Sequence, residues 1–172
     1  MKKIIMILIM TFLVTGCGAS KEELTNIFYD SIEKAYVGVY TTDGVGLPVL
    51  ESEQITVDGK IWYKVASTKY TVMETLENVI DSVYSDSLAK GLKETLHQKY
   101  KEVDASLYTL SNGGCMLDYQ LTDDLKKNLK KDVKIKKITN SKAVFTYKNK
   151  EYTAKKDKDN YTFDKKVFEC EV

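Results

Sequence analysis

The chain has 172 residues, with 26 lysines and no arginine, 25 aspartates plus glutamates, and one histidine. That length suits one domain, and 43% hydrophobic with 30% charged residues is the balance of a folded protein, not a disordered tail. A formal net charge of +1 is not that of a generic nucleic-acid binder, and one proline and nine glycines exclude collagen-like and proline-rich classes.

Residues 1–16 read as a cleavable secretory leader. Lys2 and Lys3 form a positive start, and Ile4 to Val14 is apolar except for Thr11. A spanning helix needs about 20 residues, so this stretch is too short to cross a bilayer and fits a secretory core instead. Val14-Thr15-Gly16-Cys17 resembles the bacterial lipobox. The resemblance implies cleavage before Cys17, lipidation of its thiol, and anchorage at the extracytoplasmic face of the cell membrane. Two or more acyl chains anchor stably. Residues 17–23 are then a lipidated tether, and residues 24–172 a single domain. The absence of arginine beside 26 lysines points to an AT-rich coding bias.

Leu24, Ile27, Phe28, Ile32 and Ala35 recur at helical spacing, which predicts an amphipathic helix from Lys21 to Tyr36. Thr41 to Glu53, with Gly44, Gly46 and the lone Pro48, reads as a loop or irregular edge. Asp58-Gly59 between Gln54–Val57 and Lys60–Val65 is a hairpin signal, because glycine accepts the positive φ of the turn. Thr71 and Glu74 form a capping box before Met73, Leu76, Val79, Ile80 and Val83. Ser85 or Asp86 caps a second helix that ends in the Tyr-rich stretch His97 to Asp104. Leu107–Leu110 and Cys115–Tyr119 flank Ser111-Asn112-Gly113-Gly114 and read as another hairpin. Leu121 to Lys131 is a short Lys-rich surface helix or turn. Val133–Thr139, Ala143–Tyr147, Glu151–Lys155 and Tyr161–Cys170 then form a meander, with turns at Asn140-Ser141, Asn149-Lys150 and Asp157–Asn160. The fold class is α+β: N-terminal helices packed against an antiparallel, meander-type sheet.

Charge divides along the chain. Lys21 to Asp118 holds nine lysines against 16 acids, a net −7, and Tyr119 to Val172 holds 15 against nine, a net +6. The Lys-rich C-terminal third therefore suits an anionic wall polymer, and alternating lysines also serve as the solvent face of a sheet.

Chemistry-bearing arrangements are sparse. His97 sits near a helix end, where a cation is favoured. It could pair formally with Cys115, but no local signature of an orienting group or oxyanion hole surrounds that cysteine. One histidine and two distant cysteines lack the spacing of a metal site, and no Gly-rich phosphate loop follows a strand. The chain is therefore read as a non-enzyme without cofactor or metal. Cys115 and Cys170 could form a disulfide or stay free thiols. Twelve tyrosines supply rigid area with a polar tip, which suits a binding surface as well as strands.

The order Ile61-Trp-Tyr-Lys-Val65, then Thr68–Leu92, then His97–Asp104, then Leu107–Gln120 resembles the IseA-like DL-endopeptidase inhibitors, secreted bacterial proteins that restrain cell-wall autolysins. The resemblance covers roughly 60 residues. It implies a function, blockage of the active-site cleft of an NlpC-type DL-endopeptidase, which the lipobox, a difference from freely secreted members, would confine to the membrane-proximal envelope. It also implies a partner-binding turn at Ser111, Asn112, Gly113 and Gly114, with Tyr108, Asp118 and Tyr119 beside it. Asn112 stands where that family's turn carries an acid. The alternative reading is an envelope lipoprotein that captures a glycan, peptide or small molecule.

Overall fold

The computed structural model describes residues 19–110 and 114–170. The helix predicted first is α1, Lys21–Thr42, and it is six residues longer than its periodicity suggests. Ser20 caps it by accepting a hydrogen bond from the Glu23 amide at 3.1 Å, so the helix takes over the end of the expected tether. Its first half shows one apolar face, Leu24, Phe28 and Ile32. From residue 35 to 42 every side chain is buried. A helix buried on all sides loses the 3.6-residue signal, which is why its second half reads as non-helical. Thr41 and Thr42 fit there because their hydroxyls donate back to the Val37 and Gly38 carbonyls at 2.9 Å.

The strands form two four-stranded antiparallel sheets, not one. The first has the order β1 (Val49–Val57), β2 (Lys60–Val65), β4 (Ser106–Thr109), β3 (Tyr100–Val103). The second runs β5 (Lys134–Ile138), β6 (Lys142–Tyr147), β7 (Lys150–Asp157), β8 (Asn160–Thr162) in sequence order. Helices α2 (Met73–Val83) and α3 (Asp86–Lys99) join β2 to β3, and α4 (Leu125–Asp132) precedes β5. One hydrophobic cluster runs from Phe28 on α1 to Phe168 and touches both sheets. The α+β class with N-terminal helices therefore holds.

The Asp58-Gly59 turn is as predicted, with φ of 53° and 73°. Other local expectations change. The segment after His97 is not a helix end from Tyr100 onward but strand β3, turned back through Asp104-Ala105, both at positive φ. Leu107–Leu110 therefore pairs with β3 and β2, and the expected hairpin with Cys115–Tyr119 does not form. Strand β1 begins at Val49, inside the expected loop, with a register break between Leu50 and Gln54. The β6–β7 turn centres on Lys148-Asn149, one residue early. The last strand stops at Thr162. Phe163 then bridges Tyr84, and Val167 and Phe168 fill the core instead of extending the sheet.

The capping box is also replaced. Val72 takes the N-cap position without a side-chain bond, and the Glu102 carboxylate on β3 accepts from the Met73 amide at 2.8 Å. A residue distant in sequence thus supplies the anion that a helix N-terminus favours.

Gly38 sits mid-helix, where glycine normally costs about 0.5–1 kcal/mol against alanine. Here it makes room for Tyr84, whose Cε2 would lie 2.9 Å from an added Cβ. The Tyr84 hydroxyl donates to the Ala35 carbonyl at 2.6 Å. Gly38→Ala is expected to lower stability by about 1–3 kcal/mol despite its better helix propensity. Urea unfolding checks this, and an alanine variant as stable as the parent would refute the packing argument.

Candidate functional site

The segment singled out by sequence is held on its N-terminal side by the end of α3 and on its C-terminal side by the residues that follow α1. Before it, the Leu110 amide and the Thr109 hydroxyl donate to the Lys99 carbonyl at 3.2 and 3.0 Å. After it, the Cys115 amide donates to the Asp43 carbonyl at 3.2 Å, and Gly44 bridges Cys115 in parallel. Cys115 is disulfide-bonded to Cys170 across a Cα–Cα distance of 5.6 Å. Lys166 pairs with the Asp43 carboxylate at 2.6 Å, and Lys99 donates to the Gly44 carbonyl at 2.8 Å. Burial lowers the pKa of Lys99, and the nearby Asp43 charge partly opposes that. Asp43 and Gly44 thus form a post to which the C-terminal flank and the C-terminal segment are tied directly, and the N-terminal flank through Lys99 at the end of α3.

Ser111, Asn112 and Gly113 lie outside the described residues. Gly114 is not a protruding tip. A Cβ added to it would collide with the Gly44 carbonyl, so glycine is required by backbone contact. Asp118 is equally committed. It accepts from the Tyr147 hydroxyl and pairs with Lys148 at 2.9 Å. Desolvation raises the Asp118 pKa, but those two hydrogen bonds outweigh it and hold the carboxyl below its ordinary value. The Tyr119 hydroxyl donates to Asp132, and its backbone N–H and C=O both bond the Tyr36 hydroxyl at 2.7 Å. Tyr108 lies elsewhere, on the sheet face turned away from the core, opposite Lys64 and Lys101. Trp62 shares that face beneath the Lys101 ammonium, 5.5 Å from the ring centroid. The structure therefore gathers Gly114, Asp118 and Tyr119 near the end of α1 and leaves Tyr108 on the outer sheet face.

Most tyrosines that suggested a binding surface are internal struts. Tyr29 donates to the Val133 carbonyl at 3.0 Å and Tyr161 to the Thr139 carbonyl at 2.9 Å. Tyr40 reaches Gln120 at 2.8 Å, and the Tyr100 hydroxyl accepts from the Leu47 amide at 2.9 Å. Each buries a ring and satisfies a loop group that would otherwise be costly to bury. Burial raises the Tyr36 and Tyr100 pKa values to about 12. The Asp132 hydrogen bond does the same for Tyr119, also to about 12. Burial pushes Tyr84 and Tyr147 up further.

The Cys115–His97 pair considered from sequence is not made. Cys115 is spent in the disulfide, and His97 Nε2 contacts Glu77 at 2.8 Å on the exposed side of α2 and α3. Among the described residues, no group of three or more His, Cys, Asp or Glu could hold a metal, and no helix is long and apolar enough to cross a membrane. The leader and the lipobox lie outside the described residues. The charge division is partly consumed inside the fold, since Asp30–Lys126, Asp43–Lys166 and Asp118–Lys148 join the acidic half to the basic half. The anchoring roles of Asp43, Gly44, Lys99 and Lys166 had no sequence signature. No family model and no curated protein matches the chain.

Two outcomes are expected. Gly114→Ala should destabilise the protein by about 2 kcal/mol or more, because backbone must move to admit the methyl group. An unchanged urea midpoint would contradict the contact. Stability should also fall in alkali. Unfolded tyrosines ionise near 10.0, whereas Tyr36, Tyr100 and Tyr119 keep their protons to about 12. Their contribution is complete below the unfolded pKa and is lost as pH rises through the folded one. Urea midpoints at about pH 9 and about pH 11 test this, the latter being lower.

Proposed function

We propose that the protein is a lipid-anchored extracytoplasmic inhibitor of cell-wall DL-endopeptidases that acts by occluding the active-site cleft. The reading joins the sequence resemblance to the post at Asp43-Gly44, which is the observation that supports it best. A loop whose two flanks are fixed loses less freedom on entering a cleft, so more of its contact energy appears as affinity. An enzyme that uses a Cys–His pair needs only to be blocked, so the inhibitor requires no reactive group of its own.

In this reading, lipidated Cys17 holds the domain at the outer face of the membrane, and the Lys-rich C-terminal third lies toward anionic wall polymer. A disulfide persists in that oxidising setting, in keeping with the location. Asp118 and Tyr119 act by fixing the segment's C-terminal flank, not by touching the target.

The test is a wall-digestion assay in which chain lacking the leader is titrated against an NlpC-type endopeptidase. Inhibition is expected at micromolar concentration. Gly113→Trp should weaken it at least about tenfold, equivalent to about 1.4 kcal/mol, without lowering the melting temperature. Asn112→Asp checks the turn position directly, and Cys115→Ser with Cys170→Ser should weaken inhibition by loosening the flank. Absence of inhibition by the parent chain, or full inhibition by Gly113→Trp, would overturn the proposal.

A further inference from the structure

A furrow runs along the flank of α1, its far end reaching Thr109 and Leu110. One cleft of about 350 Å³ and a second of about 380 Å³ share Glu33, Lys69 and Tyr70 as walls. The second shares Leu47 and Leu121 with a third of about 460 Å³. Each is within the size range of small-ligand sites, and shared walls make them continuous. The floor is apolar, with Val37 and Leu47 buried beneath it.

Glu33, Lys69 and Tyr70 line both of the first two clefts with no ion pair or hydrogen bond from their side-chain heads to the described residues, and Asp159 and Asp123 add one unpaired acid to the first and to the second. Among the described residues Glu33 makes no ion pair. The Lys69 ammonium lies 5.3 Å from the Tyr70 ring centroid with no carboxylate against it. Tyr70 is 7% exposed as a residue and lines both of the first two clefts, and its hydroxyl, which makes no hydrogen bond to the described residues, is open to solvent there. Every other deeply buried tyrosine described above has its hydroxyl bonded, so the exception faces a space that something else can fill.

We propose that this furrow binds a short extended peptide carrying one ammonium and one carboxylate. Glu33 receives the ammonium, Lys69 the carboxylate, and the Tyr70 hydroxyl donates to a peptide carbonyl. An apolar side chain of the ligand rests on Val37 and Leu47. A glycan fits less well, because it needs an open aromatic face for stacking. The Tyr40 and Tyr70 rings are only 3% and 7% exposed. The site uses no residue of the 111–114 segment and requires no hydrolase, so it stands or falls separately from the inhibitor reading.

Isothermal titration calorimetry of the purified chain tests it. The probes are N-acetylated, C-amidated tetrapeptides of alanine carrying one lysine and one glutamate in every order, with equally capped tetra-alanine and a neutral tetrasaccharide for comparison. At least one charged peptide should bind with a sub-millimolar Kd. Glu33→Gln and Lys69→Gln should each weaken that binding about three- to tenfold, and Tyr70→Phe should weaken it at an unchanged melting temperature. Gly113→Trp should bind the peptide as the parent does. The proposal is overturned if no charged peptide binds, if tetra-alanine or the sugar binds equally well, or if the two charge variants bind like the parent.

Discussion

Complete burial of the second half of α1 is the constraint on which the rest of the architecture depends. From residue 35 to residue 42 the helix has no solvent face, so protein must cover it on every side. The α2–α3 pair, β8 and the segments around Tyr119 and Phe168 supply that cover. Ring contacts tie them together, with Phe28 against Phe145 at 5.0 Å and Tyr36 against Phe168 at 4.8 Å. Fully burying one such aromatic contributes about 1.5–3 kcal/mol, so the helix gathers segments far apart in sequence around one axis.

A core crossed by so many loops must satisfy their backbone groups, and here tyrosine does much of that. Its ring packs like phenylalanine while its hydroxyl reaches a carbonyl or amide at the edge of the core. Tyr36 does this twice, accepting from the Tyr119 N–H and donating to the Tyr119 carbonyl. The dense tyrosine content is thus largely a device for attaching irregular segments to a helix. Tyr70 is set apart because its hydroxyl opens on a furrow and not on a loop.

Elements that carry a local period were legible in the sequence. The apolar spacings of α2 and α3 placed both helices, and Asp58-Gly59 placed its hairpin. Elements decided by tertiary context were not. All-round burial erased the period of late α1, and Asp104-Ala105 turns the chain without the glycine or asparagine that usually marks such a turn. The cap of α2 comes from Glu102, which no window around Thr71 can contain. The candidate segment was found by its composition, but its anchors at Asp43 and Gly44 were not, since a backbone carbonyl leaves no mark in sequence. The same limit applies to the tyrosines, whose amphipathic side chain suits a strut and a contact surface equally well.

The disulfide joins residues 55 apart, and α4 and the whole second sheet lie between its two ends. That part of the molecule is therefore a covalently closed ring hung from the end of α1. A single proteolytic cut anywhere within the ring leaves both pieces attached, so the nicked chain keeps its parts together under non-reducing conditions. This topology makes the first cleavage survivable, and fragments are released only after a second cut or reduction of the bond.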